Sequence, residues 1–501
     1  MFKKVLVANR GEIACRVFQS LQEMSICAVA VYSDVDRNSL HVTRADEAYP
    51  LGGTSAADSY LRIDKIIEVA RECGAEAVHP GYGFLSENAA FAQACNDAGL
   101  VFIGPEPRVI RAMGDKIEAK ALMKKAGVPT VPGWSGDAGA SIDEIRAAAE
   151  EIGFPLLVKA AAGGGGKGMR VVQAPEDLEA SVDAAGREAK AAFGDARIFL
   201  EKFIASPRHI EFQIFGDQHG NVVHLFEREC SLQRRHQKII EEAPSAVVDE
   251  KLRAEMGEAA VRAAKAIGYT NAGTVEFMLD DSGSFYFLEV NARLQVEHPV
   301  TEMITTRDLV TAQIMVAMGH ELPFRQEDLS IRGHALECRI YAEDPWNNYM
   351  PSTGTLAQYV PPVGANVRVD SGVIAGSEVS VHFDPMLAKL VVWGEDRETA
   401  TRRLIWALRR YAVLGVTTNI SFLQFLVEQD FFGKADFHTQ LLDRNPPRKP
   451  ETETPPAVLA AAAAAARIKP GGVASQQRDA TSMASADASP WQDAANWRIA
   501  Q

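Results

Sequence analysis

Leu288-Glu289-Val290-Asn291-Ala292-Arg293-Leu294-Gln295-Val296-Glu297 alternates apolar and polar residues without a break. In a strand, successive side chains point to opposite faces. The stretch therefore predicts Leu288, Val290, Ala292, Leu294 and Val296 against a core. Glu289, Asn291, Arg293, Gln295 and Glu297 share the other face: two carboxylates, two amides and one guanidinium. That set suits a divalent cation, an anion and a general base together. A wetted edge-strand face is the plainer meaning of alternation, but such faces are built more often from Lys, Thr and Ser. Just upstream, Gly273–Leu279 reads as a partner strand and Asp280-Asp281-Ser282-Gly283 as the turn of a hairpin. Parity puts Glu276 on the same face as Glu289, near enough to share an ion.

Working outward, residues 1 to about 110 alternate short apolar runs with helical patterns. Strands are expected at Lys4–Ala8, Ala28–Tyr32, Ala77–His79 and Val101–Ile103, with a helix at Gly11–Gln22. Such alternation implies a doubly wound parallel sheet. Dinucleotide binding is excluded, because the first turn, Ala8-Asn9-Arg10-Gly11-Glu12, lacks G-x-G-x-x-G. A helix over Asp115–Lys125 stops at Ala126-Gly127-Val128-Pro129. Residues from about 131 to 203 read as a smaller unit: helix, strand Pro155–Lys159, glycine-rich loop, helix, strand.

That loop, Gly163-Gly164-Gly165-Gly166-Lys167-Gly168-Met169, can close its N–H groups on phosphate oxygens. It is not a Walker A loop, which needs Gly at 161 and Ser or Thr at 168; the chain has Ala161 and Gly168. A lid over phosphates fits better, with Lys159 and Lys116 adding charge. Glu201-Lys202-Phe203-Ile204 marks the edge of this unit, where exposed backbone could hold a base edge. His209–Gln213 reads as another alternating strand. Arg234, Arg235, His236 and Lys238 form a cationic cluster expected to bind an anion, and Cys230 reads as a small core residue. Two carboxylates beside phosphates describe a magnesium site. An acid/base pair is the alternative, and the neighbouring Arg293 and phosphate loop favour metal.

With 501 residues, the chain is long enough for two to four domains at about 150 residues each. Its 47% hydrophobic and 24% charged content supports a sizeable core. The formal net charge of -14 argues against non-specific binding of nucleic acid or anionic membranes. No apolar run approaches the roughly 18 residues of a membrane span, and the start reads as a first strand and not a signal peptide. Six scattered cysteines form no ligand pattern, so reduced thiols and a cytoplasmic location are expected. From Pro446 the composition turns to Pro, Thr and Glu, then an alanine run at Ala460–Ala466, then Gly, Ser and Asp. Trp491 and Trp497 make this tail either a docking segment or a remnant.

Taken together, Asn9–Ala14, His79-Pro80-Gly81-Tyr82-Gly83-Phe84-Leu85-Ser86-Glu87-Asn88, Gly114-Asp115-Lys116, the glycine loop, Arg234–Lys238 and Glu289–His298 closely resemble biotin carboxylase over residues 1 to about 445. The resemblance implies an α/β ATP-grasp fold. It would comprise an N-terminal parallel-sheet domain (1–114), a linker helix with mobile lid (115–203) and a larger mixed catalytic and C-terminal region (204–445), followed by the tail (446–501). It implies that Lys116, Lys159, Gly164, Gly165, Gly166, Met169, Glu201, Lys202, Ile204, His209, Gln233 and His236 surround ATP. Glu276, Glu289 and Asn291 would hold Mg2+ or Mn2+, the two glutamates also bordering ATP. Lys238, Arg293, Gln295, the Val296 backbone and Glu297 would receive bicarbonate, with Glu297 as general base. Arg339, in Glu337-Cys338-Arg339-Ile340, would stabilise the biotin enolate, with Tyr82 and Gly83 beside the ureido ring.

A carrier domain would present its biotinyl lysine in a Met-Lys-Met tip, and the sole Met-Lys here, Met123-Lys124, falls in a helical pattern. The expected substrate is therefore biotin on a separate biotin carboxyl carrier protein. A carboxyltransferase subunit is the further partner expected, and a homodimer is the family's usual state. The whole would form an acetyl-CoA carboxylase, as in fatty acid biosynthesis, or another acyl-CoA carboxylase. A carbamoyl-phosphate-forming ATP-grasp ligase is less compatible with the His79–Asn88 segment and with Arg339. A non-catalytic relative is less compatible with Lys238, Arg293, Glu297 and Arg339 all being present.

Overall fold

A computed structural model describes residues 1–135, 140–160, 170–193, 198–235 and 237–449. Of the tail, all from residue 450 onward, including Trp491 and Trp497, lies outside the described residues. Five strands open the chain: β1 (Lys4–Val7), β2 (Cys27–Tyr32), β3 (Glu47–Pro50), β4 (Ala77–His79) and β5 (Val101–Phe102). They pair in parallel in the order β3-β2-β1-β4-β5. Val5, Leu6 and Val7 are fully buried, because helices cover both faces of a parallel sheet and leave no wet side. The strand order reverses beside β1, and loops at such a switch point gather a site at the carboxyl ends of the strands. Here the loops after β1 and β4 are tied together: the Asn9 amide donates to the carbonyls of Pro80 (2.8 Å) and Tyr82 (2.7 Å). Gly81, at φ 61°, lies so close that a Cβ would come within 2.9 Å of the Asn9 amide nitrogen.

The smaller unit is a four-stranded antiparallel sheet of β6 (Gly133–Ser135), β7 (Leu156–Ala160), β8 (Arg170–Val172) and β9 (Ile198–Lys202), in the order β6-β9-β7-β8. Helices Ile142–Ile152 and Leu178–Phe193 flank it, and it keeps its own core around Leu156, Val158, Val172 and Leu200. Strands β6 and β8, of three residues each, are too short to give a periodic signal in the sequence. The glycine loop, including Gly164, Gly165, Gly166 and Met169, lies outside the described residues.

The third layer is an eight-stranded sheet. Its strands β10 (Arg208–Gly216), β11 (Val222–Arg234), β12 (Gln237–Ala243), β13 (Asn271–Leu279), β14 (Phe285–Asn291) and β15 (His334–Tyr341) run in the order β14-β13-β10-β11-β12-β15. Strands Met386–Gly394 and Val367–Ser371 then complete it. Ile210, Phe212, Val275 and Phe277 share one core with Leu6, Val29 and Val78 of the parallel sheet. Among the described residues, no helix is long and apolar enough to cross a membrane.

The ten-residue alternation from Leu288 overstates the strand. β14 ends at Asn291, and residues 292–297 form a turn leading into helix His298–Thr305. The register shifts after Glu276↔Glu289, so that Phe277 faces Phe287 and Leu288 becomes the extra residue of a bulge. Leu288 is accordingly 38% exposed and not in the core. Gln295 and Glu297 are each 2% exposed, more buried than the half-buried Val296 between them.

Candidate active site

Lys238, at the start of β12, is the centre of the site. Its ammonium reaches Glu211 (2.5 Å), Glu297 (2.7 Å), Glu276 (2.9 Å) and the Gln295 side-chain oxygen (3.2 Å). Three N–H donors thus face four acceptors. The carboxylates converge because register dictates it: Glu211 pairs with Glu276 across β10 and β13, and Glu276 with Glu289 across β13 and β14. Burial opposes the ionised form of Glu276, but Lys238 and His209 outweigh it and hold its pKa well below the ordinary value. Burial also opposes ionised Glu297, and Lys238, Arg339 and Arg228 likewise prevail. Glu211, fully buried, is raised by burial despite Lys238, with Glu297 adding to the rise. Beneath it, fully buried Arg228 donates to Glu211 (2.6 Å), Gln213 (2.8 Å), Thr301 (3.0 Å) and Thr274 (3.0 Å). A buried guanidinium is stable only when satisfied in this way.

Glu297 lies between two cations. Lys238 holds one oxygen, and Arg339 Nη2 holds the other at 2.9 Å. Arg339 Nε also donates to Glu241 at 2.6 Å. Burial pushes Glu241 up to about 7 against the pull of Arg339. Arg293 is oriented by Glu87 (2.9 Å) and by the Asn291 oxygen (3.0 Å), and Glu87 also accepts from the Ala292 N–H (2.9 Å). The amides of Asn291 (2.8 Å) and Gln295 (2.9 Å) donate to Glu276, whose other oxygen lies 3.0 Å from His209 Nε2. Glu289 and Asn291 border a cavity of about 230 Å3 shared with Glu87 and Gly114. The carboxylates of Glu276 and Glu289 and the Asn291 amide oxygen, on adjacent strands β13 and β14, are hard oxygen donors, the chemistry that fits Mg2+.

Among the residues expected to border nucleotide, Lys159 pairs with Glu201, which also accepts from Lys120 at 2.8 Å. Lys202 is exposed and Ile204 half-buried just beyond β9. Gln233 is buried opposite Lys238 in the β11–β12 ladder. His236 and the side chain of Lys116 lie outside the described residues. The cationic cluster does not stay together: Arg234 pairs with Glu343 and stacks 4.2 Å from the Tyr349 ring, and Arg235 bonds to Asn348. Among its described members, Lys238 turns to the carboxylates. Tyr82 donates its hydroxyl to Glu12, and Gly83 follows at φ 67°. Cys230 is fully buried, and burial raises its thiol well above the ordinary value, as suits a core residue.

Glu87, Lys120, Glu211, Arg228 and Glu241 entered the site unpredicted. Glu211 shares parity with His209, and Lys120 lies four residues from Lys116 on one helix. Glu241 and Arg228 gave no signal beyond being charges within strands.

Residues 1–110 match the biotin carboxylase N-terminal domain, 115–325 the ATP-binding domain of the carbamoyl-phosphate synthase L chain, and 337–444 the biotin carboxylase C-terminal domain. The chain is 54% identical over 437 residues to the mitochondrial methylcrotonoyl-CoA carboxylase α subunit of Dictyostelium discoideum, covering 87% of this chain and 62% of that one. It thus spans less than two thirds of that relative. To the biotin carboxylase of Nostoc it is 52% identical, covering 88% of this chain and 98% of that one. Among solved structures, the biotin carboxylase domain of Hydrogenobacter thermophilus 2-oxoglutarate carboxylase, a dimer with MgADP, ADP and bicarbonate, superposes with a TM-score of 0.83 at 48% identity, covering 89% of this chain and 98% of that one. The Campylobacter jejuni biotin carboxylase, in a β,γ-ATP complex, gives 0.84 at 45% identity, covering 89% and 99%. Nearly full coverage of a stand-alone biotin carboxylase, at half its residues identical, carries the assignment: the chain belongs to the biotin carboxylase family and has its ATP-grasp fold.

Proposed function

We propose that this chain carboxylates biotin on a separate carrier protein, using ATP and bicarbonate. The observation that carries the reading is Glu297, a buried carboxylate held at 2.7 Å by Lys238 and at 2.9 Å by Arg339. In this reading Lys238, Arg293, Gln295 and the Val296 N–H orient bicarbonate, and Glu297 removes its proton. With its cations to itself, Glu297 is a weak base. An anion arriving on Lys238 and Arg293 competes for those charges and raises the proton affinity of Glu297. Its action as a base is thereby timed to bicarbonate binding.

The activated bicarbonate attacks the γ-phosphoryl group of ATP, giving ADP and carboxyphosphate. Lys116, Lys159 and the glycine loop surround the phosphates, while Glu201, Lys202, Ile204, His209, Gln233 and His236 border the rest of the nucleotide. A Mg2+ or Mn2+ ion held by Glu276, Glu289 and Asn291 would neutralise charge on the transferring group. Carboxyphosphate then splits to carbon dioxide and phosphate; the phosphate takes the biotin N–H proton, Arg339 binds the ureido oxygen and stabilises the resulting enolate, and the biotin nitrogen bonds the carbon dioxide. Tyr82 and Gly83 flank the ring. The lid around 131–203 excludes water, which hydrolyses carboxyphosphate.

The final acceptor is set by a carboxyltransferase partner. Methylcrotonoyl-CoA carboxylase α subunits, a pyruvate carboxylase component of Methanothermobacter thermautotrophicus and a 2-oxoglutarate carboxylase are all relatives of this chain. An acyl-CoA is the acceptor we favour, because α subunits of that class reach 56% identity here. A homodimer belongs to the same proposal, on the precedent of the Hydrogenobacter domain dimer. The test is ADP release by purified protein with Mg-ATP, with and without bicarbonate and free biotin. Release that requires bicarbonate and rises with biotin supports the reading. ATP turnover indifferent to both overturns it.

A further inference from the structure

Lys389 is a charge where none is expected. It lies in Met386–Gly394 among Leu387, Ala388, Leu390 and Val391, all buried, and is itself 0% exposed. A buried ammonium is unfavourable unless paired, and an apolar residue of its size would avoid the desolvation altogether. Register sets Lys389 directly opposite Arg339 on one side and Asp370 on the other. Directly opposed residues share a sheet face, so the catalytic face continues to Lys389. Its ammonium donates to the Val296 carbonyl at 2.9 Å and lies 3.3 Å from Glu12 and 3.7 Å from Asp370. Asp370 is already held by two bonds from Arg368, each 2.8 Å. Glu337, on the same face, has no hydrogen-bond partner for either oxygen among the described residues, and burial raises it well above the ordinary carboxylate value. The carboxylate nearest Lys389 is therefore Glu12, at 3.3 Å; burial pushes it up to about 7 against the pull of Lys389, and its second oxygen takes the Tyr82 hydroxyl.

This makes a continuous path: Val296 carbonyl, Lys389, Glu12, Tyr82. The Val296 carbonyl belongs to the same peptide unit as the Glu297 N–H, and Glu297 sits at φ -81°, ψ 10° as it leads into helix His298–Thr305. Fixing that peptide fixes the direction in which the Glu297 side chain leaves the turn. We propose that Lys389 is a positioning residue, which locks the Val296–Glu297 turn to the Glu12–Tyr82 pair and holds the bicarbonate-facing and biotin-facing parts of the site as one unit. This deepens the proposed function and rests on its reading of Val296, Glu297 and Tyr82.

The test compares wild type with Lys389→Met, Glu12→Gln and the double variant. The readouts are bicarbonate KM and kcat for biotin-stimulated ADP release, ATP affinity by direct titration, and Tm. The single variants should each raise bicarbonate KM or lower kcat roughly tenfold or more, the effect of losing a charged hydrogen bond. ATP affinity should stay within about twofold, since neither residue faces the nucleotide side. The double variant should match the worse single and not multiply the two, because both residues act through one unit. It also removes the orphaned charge that a single variant leaves, so it remains readable where a single variant melts. Unchanged bicarbonate kinetics, multiplicative losses, ATP affinity falling in step with KM, or a double variant that no longer melts cooperatively would each overturn the role of Lys389. Wild-type turnover that ignores bicarbonate would instead overturn the underlying site reading.

Discussion

Arg339 serves two carboxylates with one guanidinium, Glu241 at 2.6 Å and Glu297 at 2.9 Å. Replacing it by Ala leaves nucleotide contacts untouched but frees Glu297 from one of its two cations. We expect Arg339→Ala to bind ATP as wild type does and to lose carboxybiotin formation; full carboxylation by that variant would refute the role given to Arg339. Lys238 is a different case. Lys238→Gln leaves Glu211, Glu276 and Glu297 crowded without their shared ammonium, and breaking such a buried group is expected to destabilise the fold by about 3–5 kcal/mol. A chemical-denaturation midpoint measures this, and adding Glu211→Gln should recover part of the loss, because one fewer carboxylate then competes for hydrogen bonds. Arg293 and Glu297 were legible in sequence as polar members of an alternating stretch and Lys238 as part of a cationic cluster, whereas Arg339 was singled out only by the family resemblance. Lys389 and Glu241 were not legible, since what they touch is set by which strands lie side by side, and those partners are about 100 residues apart along the chain.

The hairpin of β13 and β14 carries Glu276, Glu289 and Asn291 on one strand pair, and its placement depends on a close approach behind it. Gly273 lies against the Tyr269 side chain: a Cβ there would come within 2.2 Å of the phenolic oxygen, which itself donates to the Ala272 carbonyl at 2.9 Å. Tyr269 is 2% exposed and walled in, so it has little room to give way. Gly273→Ala should therefore destabilise the protein by about 1–3 kcal/mol through overpacking. It should also weaken ADP release, because the strand that shifts carries Glu276. A urea midpoint unchanged by the substitution would count against this packing argument. The alternation of the hairpin was readable, as were β1, β2 and β4, because period two and apolar runs are local properties. The bulge at Leu288 was not readable, since a bulge exists only relative to a partner strand. The strand is Phe285–Asn291, so only Leu288–Asn291 of the predicted stretch lie in it, and the remainder forms the turn before helix His298–Thr305.

At the scale of the molecule, charged side chains connect layers that also share apolar cores. Arg16 of helix Gly11–Glu23 bonds to Glu302 and Asp308 at 2.9 Å each, and Arg368 of the large sheet reaches Glu302 at 2.7 Å. Arg10, in the loop after β1, lies 4.4 Å from the Phe383 ring and makes two 2.7 Å bonds to Asp36, which also takes the Tyr60 hydroxyl at 2.6 Å. Burial opposes the charge on Asp36, but Arg10 outweighs it and holds the carboxyl below the ordinary carboxylate range. Around its ordinary value of 3.8 the unfolded chain takes up a proton at this position and the folded chain does not. The stabilisation is therefore complete above that pH and is lost as pH falls toward the folded-state value. Asp36→Asn should destabilise the protein by about 3 kcal/mol at neutral pH, near the low end for breaking a buried pair. The difference between wild type and variant should stay level from pH 8 to about 5 and narrow below about 4. Buried neutral His79 and His224, lowered by burial to about 4 from 6.5, add a loss of stability between those values as pH falls. That loss is common to both proteins, but buried His41, also lowered by burial to about 4, is held up by Asp36 and titrates differently in the variant; denaturant midpoints taken in parallel on a His41→Gln background isolate Asp36. A difference that widens on acidification would mean that Asp36 is not held ionised by Arg10, and that the contact with Phe383 aligns the layers without it.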